Sequence, residues 1–272
     1  MRFPARPSRT LAGLGACVVF GLAACTSPGH PANGTVGVVA GENVWGDIAA
    51  QIGGDRVAVT SIISAPGADP HEYESDVHDA AAVAQATVVI ENGLGYDDFL
   101  AKLVSASPRG GRTVLTVSDI VGVHGDNANP HLWYQPAYVV TAARAFEAAF
   151  ARAVPAAAGT FRANLGAFEA GEHRVSDVIA RIRAKYAGSR VAYTEPVPGY
   201  LLDAAGLRLG IPASFARSIE DGNDPSPADN AAFETALTSH TVKVLIYNAQ
   251  VSDAATEHLR DLATGSGIPV VG

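Results

Sequence analysis

The sequence predicts an α/β protein with two lobes, each built on a parallel sheet, joined by a single long helix. Three observations lead there. From Val36 to about residue 117, short β-branched runs alternate with amphipathic stretches, the pattern of βαβ units around a parallel sheet. An Ala-rich, helix-periodic region then interrupts the alternation, and from about residue 191 the alternation resumes to the end of the chain.

The elements follow in order. In the first lobe, 36–40 (VGVVA), 57–63 (VAVTSII), 87–90 (TVVI) and 113–117 (TVLTV) read as strands, with helices near 43–52, 76–86 and 97–106. Asp97 and Asp98 are expected to open the last of these helices, as carboxylates often do. Residues 138–153 and 156–186 are helix-periodic, and Phe161, Leu165, Phe168, Val175, Ile179 and Ile182 form one apolar side of the second helix. Pro155 suits its first turn, where the missing N–H breaks no hydrogen bond. At 1.5 Å per residue that helix reaches about 45 Å, more than one lobe needs, so it reads as a strut between lobes. In the second lobe, 191–194 (VAYT), 211–215 (IPASF), 242–247 (VKVLIY) and 268–271 (IPVV) read as strands, with helices near 198–206, 227–238 and 252–264.

Residues 1–24 read as a leader rather than as part of the fold. Arg2, Arg6 and Arg9 precede an apolar run too short to cross a bilayer comfortably, the layout of an export signal. The run ends in Leu22-Ala23-Ala24-Cys25, which resembles the lipobox of bacterial lipoproteins and implies cleavage before Cys25 and a lipid on its thiol. An ordinary signal cleavage with Cys25 a spectator is the alternative. Cleavage also removes Cys17, so the exported domain is expected to hold no disulfide and no thiolate metal ligand. It leaves 16 Lys+Arg against 27 Asp+Glu, a net charge of −11, and with no basic stripe nucleic acid is not an expected partner. The expected organisation is a leader over 1–24, a tether over 25–35, an amino-terminal α/β lobe over 36–137, a helical region with the linking helix over 138–187, and an incomplete carboxy-terminal α/β lobe over 188–272.

The chemistry-bearing residues stand where such sheets collect ligands. The sequence holds no P-loop, no complete G-x-G-x-x-G, no G-x-S-x-G and no H-E-x-x-H. His71 (in DPHEYE) lies beyond the carboxyl end of the 57–63 strand, His131 (in NPHLW) beyond that of 113–117, and Glu195 (in TEPVPGY) directly after 191–194. Ligands of open parallel sheets bind at that rim, and two imidazoles with a carboxylate suit a divalent first-row metal. Pro70, Pro130 and Pro196 adjoin the three residues and stiffen their loops. Taken singly, each histidine reads more readily as a loop residue that is solvated or bonded to a backbone carbonyl, and Glu195 as a carboxylate at a helix start; it is their joint placement that points to a metal. Trp133 and Tyr134 are expected to wall the crevice. His124 either shields the site or has no role, and His30, His78, His173, His240 and His258 read as surface residues.

The stretch from GENVWGDIAAQIGGDRV through GADPHEYESDVHD to IENGLGYDDF resembles the metal-binding lipoproteins of zinc/manganese ABC importers, the cluster A-I solute-binding proteins. NPHLWYQP, TEPVPGYLLDAAGL and YNAQVSDAATEHLRDLATGSGIPVVG extend the resemblance from about Val36 to the last residue. The resemblance implies two α/β lobes joined by one helix, a Zn²⁺ or Mn²⁺ ion held between them as cargo, and delivery to a membrane permease driven by an ATPase. It implies His71, His131 and Glu195 as ligands, a glutamate in the third place being commoner among manganese-type members. It further implies a lipid-anchored monomer on the extracytoplasmic face and no enzymatic activity. The fourth ligand it implies is an acidic residue just after the last strand, where this sequence has only Gly272. Two other functions fit the residues: a truncated relative with impaired metal binding that serves as a surface protein or adhesin, and a metal-dependent hydrolase with Glu72 or Glu74 as base.

Overall fold

The computed structural model describes residues 34–65, 68, 73–125 and 127–272. The expected leader, Cys25 and His71 lie outside the described residues. The first sheet is built on β1 (Val36–Glu42), whose valines are buried because neighbours cover both faces, as a central parallel strand requires. β2 (Val57–Ile63) pairs on one side of it and β3 (Val88–Glu91) on the other, with β4 (Thr113–Thr116) outside β3. All pairs are parallel, the order is β2-β1-β3-β4, and Val38 lies opposite both Val59 and Val88. Helices α1 (Asn43–Gly53), α2 (Val77–Gln85) and α3 (Asp98–Ala106) make the crossovers, and α4 (Val117–Val121) follows β4. A capping box fixes the start of α2: Asp76 accepts from the N–H groups of His78 and Asp79, while the Asp79 carboxylate accepts from the Asp76 N–H at 2.9 Å. α1 lies so close on β2 that a Cβ on Gly46 would stand 2.1 Å from Ser61 Oγ.

α5 (Pro136–Ala153) buries Phe146 and Phe150 in the first core and opens with proline, which costs no hydrogen bond there. A 3₁₀ turn over Pro155–Ala157 then leads into α6 (Ala158–Tyr186), whose 29 residues span about 43 Å. Phe161 is buried near its start and Ile179 near its end, but Val175 and Val178 between them are exposed. The expected apolar side is therefore covered at both ends and bare in the middle, as a strut between two bodies should be.

The second sheet consists of β5 (Arg190–Tyr193), β6 (Arg208–Leu209), β7 (Leu245–Ile246) and β8 (Val270–Val271), parallel and in the order β6-β5-β7-β8. Its helices are α7 (Gly199–Ala204), α8 (Ala213–Glu220), α9 (Pro227–Thr238) and α10 (Ala254–Gly265). The strand expected over 211–215 is instead the start of α8. Phe215, Ala216 and Ile219 fall on one helical face, and Phe215 packs against Phe233 of α9 with ring centroids 4.7 Å apart. The true strand is the pair Arg208–Leu209 just before it.

Both strand orders reverse direction once, between β1 and β3 in the first sheet and between β5 and β7 in the second. At such a switch point the crossovers leave on opposite faces and a crevice opens at the carboxyl ends. Glu42 and Asn92 stand at the first crevice, and Glu195 and Asn248 at the second.

Candidate metal centre

His131 is held by the first switch point. Trp45 Nε1 donates to Asn92 Oδ1 at 3.0 Å, and Asn92 Nδ2 donates to the Pro130 carbonyl at 3.0 Å, which ties the His131 loop to the end of β3. The next residue, Leu132, is fully buried in the core. The imidazole is only 5% exposed and packs edge-on against Trp133 and Tyr96, with centroids 5.3 and 5.5 Å away. Trp133 thus walls the site as expected, backed by Trp45 at 6.2 Å. Asn129 Oδ1 lies 2.8 Å from His131 Nδ1 and also accepts from the His131 backbone N–H at 3.0 Å.

Glu195 is placed by the second switch point. It follows β5 within two residues, is 6% exposed, and accepts from Asn248 Nδ2 at 2.6 Å. The Asn248 amide is itself oriented: its Oδ1 accepts from the Gln250 N–H at 3.0 Å, and its backbone N–H donates to Thr194 Oγ1 at 3.0 Å. The alternative reading of Glu195, as a carboxylate in the first turn of a helix, does not hold, because α7 starts at Gly199 with no acidic residue in its first turn.

The two lobes meet here. Asn129 Nδ2 donates to the Pro196 carbonyl at 2.7 Å, Tyr200 Oη donates to the Asn129 carbonyl at 2.8 Å, and Arg217 Nη1 donates to Asn127 Oδ1. Beside these contacts lies a cavity of about 370 Å³, lined in part by Asn129, Tyr193, Tyr200, Arg217 and Glu220.

Glu220, the last residue of α8, was not singled out by the sequence. Its carboxylate, 13% exposed, comes within 3.5 Å of His131 Nδ1. Burial, then the charges of Asp221 and Glu195, push its carboxyl up to about 7, against the opposite pull of Arg217. Glu220 therefore touches the first-lobe histidine and feels the second-lobe glutamate. Reading 211–215 as a strand hid it, since only the helix carries its carboxylate to the rim.

More carboxylates stand at the first rim. Glu42 is 4% exposed, and among the described residues neither of its oxygens has a hydrogen-bond partner. Burial, followed by the charge of Asp97, holds its pKa well above the usual carboxylate range. Asp97 precedes α3 as expected, but its side chain caps no helix N–H; it accepts from Asn92 N–H at 2.7 Å and Gly93 N–H at 2.9 Å. Burial pushes its carboxyl up to about 6. His124 is exposed, 3.7 Å from Asp119, and His258 lies 3.2 Å from Glu234 on the surface. Among the described residues no three histidine, cysteine or acidic side chains are gathered closely enough to hold a metal ion. Of the expected residues, the structure brings His131 and Glu195 to the meeting of the lobes.

Two parallel α/β lobes, a connecting helix and polar side chains meeting at the lobe contact define a two-lobed α/β protein with a crevice between its sheets. The family model described as zinc-uptake complex component A, periplasmic, matches residues 38–271, and the chain belongs to that family. The manganese-binding lipoprotein MntA of Bacillus subtilis is 32% identical over 163 residues, a match that takes in 56% of this chain and 53%, about half, of MntA. The metal ABC transporter substrate-binding lipoprotein SloC of Streptococcus mutans is 25% identical over 268 residues, 93% of this chain and 84% of SloC. Among solved structures, the periplasmic zinc binding protein TroA of Treponema pallidum superimposes with a TM-score of 0.73 at 18% identity, over 88% of this chain and 87% of TroA, which shows the same fold. Proteins of this family are substrate-binding components rather than enzymes.

Proposed function

We propose that the chain captures Zn²⁺ or Mn²⁺ between its lobes and hands the ion to an ABC permease, with His71, His131 and Glu195 as its ligands. The observation that carries this reading is the convergence of His131 and Glu195. They are buried, come from different lobes, stand at carboxyl-end rims, and are each oriented by an asparagine amide. Burying a carboxylate near an imidazole costs the carboxylate its hydration, and a divalent cation between them offsets that cost. Glu220 adds negative potential at the same place. His71 lies outside the described residues, in the segment that follows β2, and supplies the second imidazole of the set. The names of MntA, SloC and TroA support a transition-metal cargo. Attachment through Cys25, an extracytoplasmic site of action and a permease with its ATPase complete the reading. The chain carries its cargo without chemical change.

Calorimetric titration of the metal-free protein with Zn²⁺ and with Mn²⁺ tests it. One ion per chain is expected for at least one metal, with binding abolished or weakened at least a hundredfold in His71→Ala, His131→Ala and Glu195→Ala. Binding that all three variants leave unchanged overturns the ligand assignment.

A further inference from the structure

We propose that Asn129 is a positioning residue that sets the tautomer of His131 and couples it to the Glu195 segment of the other lobe, with Gly199 present to admit it. This rests on the metal-centre reading above, which it deepens. Backbone partners fix the orientation of the Asn129 amide. The His131 backbone N–H can only donate, so the Asn129 atom 3.0 Å from it is the oxygen. The Pro196 carbonyl can only accept, so the atom 2.7 Å from it is the nitrogen. With both ends assigned by backbone groups, the atom 2.8 Å from His131 Nδ1 is an acceptor. His131 Nδ1 therefore carries a proton, and in the neutral ring Nε2 is left with the lone pair that a metal takes.

The other arm of the amide reaches across the lobes. Pro196 directly follows Glu195, so one side chain joins the imidazole of the first lobe to the backbone beside the carboxylate of the second. Tyr200 Oη, from α7, donates to the Asn129 carbonyl at 2.8 Å and holds the same residue from a third direction. A side chain at position 199 would push the amide from its place: a Cβ on Gly199 would stand 2.8 Å from Asn129 Nδ2, so the amide would have to shift. Glu220, 3.5 Å from Nδ1, favours the same proton position electrostatically. When the lobes separate, the Pro196 arm breaks, and the imidazole loses the anchor that holds it toward Glu195.

The test uses Asn129→Ala, Asn129→Asp and Gly199→Ala. In the metal-free protein, nitrogen-15 NMR of the histidine rings should report the Nδ1–H tautomer for His131. Asn129→Ala should convert it to a mixture or to Nε2–H. Asn129→Asp keeps the acceptor at Nδ1 and loses the donor to Pro196, so it should keep the tautomer. For Zn²⁺ and Mn²⁺, Asn129→Ala and Gly199→Ala should each weaken binding about 10–100-fold, the usual effect of removing a partner behind a ligating histidine, and Asn129→Asp by less than Asn129→Ala. If Asn129→Ala fails to fold, Gly199→Ala carries the test, because it crowds the amide while leaving the residue in place. An Nε2–H tautomer in the unaltered protein, or unchanged affinity in Gly199→Ala, overturns the proposal. Absence of any Zn²⁺ or Mn²⁺ binding by the unaltered protein would instead sink the metal-centre reading, and the ring-nitrogen measurement would still judge the tautomer.

Discussion

Replacing Glu42 by glutamine should stabilise the metal-free protein at pH 8 and change it little near pH 4. Glu42 ends β1 with both carboxylate oxygens buried and, among the described residues, without hydrogen-bond partners, and Asp97 and Glu91 add repulsion. Its folded pKa is raised, so folding favours the protonated form. Below the ordinary carboxylate pKa the group is protonated in both folded and unfolded chains, and the full stability is present. As pH rises through the raised folded value, the unfolded chain gives up its proton more readily and stability is lost. Asp97 adds a fall of the same sign, because burial pushes its carboxyl from 3.8 up to about 6 and stability is lost as pH rises across that interval. Leaving a buried polar group unsatisfied costs about 1–3 kcal/mol, and the neutral amide removes the charged part of that cost while offering a donor to its acidic neighbours. For a chain of this size that corresponds to a rise in Tm of roughly 2–10 °C at pH 8. Thermal unfolding with a chelator present, at pH 8 and at pH 4, reads the difference directly. A Glu42→Gln protein less stable than the parent at pH 8, or one with the same gain at both pH values, would refute the reasoning.

Three further outcomes are expected. Asn248→Ala removes the 2.6 Å donor to Glu195 and should weaken Zn²⁺ or Mn²⁺ binding about tenfold or more with little change in Tm of the metal-free protein, measured by calorimetry and melting in parallel. Gly46→Ala places a methyl 2.1 Å from Ser61 Oγ where α1 meets β2, and should cost about 1–3 kcal/mol in urea unfolding while leaving the metal site intact. Phe215→Ala opens the second core at its contact with Phe233 and should cost about 3–5 kcal/mol, again by urea unfolding.

The lobes and the strut were legible because their signals are long and repeated. Parallel strands buried on both faces must be β-branched and apolar, and a helix that leaves its lobe must carry its period past the point where packing alone requires it. His131 and Glu195 were legible for a related reason: Glu195 directly follows β5 and His131 lies beyond β4 and α4, on the side of the sheets where parallel strands gather ligands. The second lobe was harder, since its strands are as short as two residues and Arg208–Leu209 has neither length nor β-branching to mark it. Composition over five residues made 211–215 look extended, while the helical spacing of Phe215 and Ile219 emerges only over eight. That misreading concealed Glu220. The amides of Asn129 and Asn248 were invisible for a different reason. Each has a partner in a distant segment, Pro196 in one case and Glu195 in the other, and no local pattern encodes such a meeting. The burial of Glu42 belongs to the same class, because it depends on the turn before α3 folding over the end of β1.

The central claim is that a transition-metal ion sits between His71, His131 and Glu195. X-ray absorption at the zinc edge of the Zn²⁺-loaded protein tests it most directly, with His131→Ala measured beside it. The expected result is a shell of nitrogen and oxygen at about 2.0–2.1 Å, two imidazoles in the outer-shell pattern, no sulfur, and one imidazole fewer in the variant. A shell with no imidazole, or one that His131→Ala leaves unchanged, would contradict it.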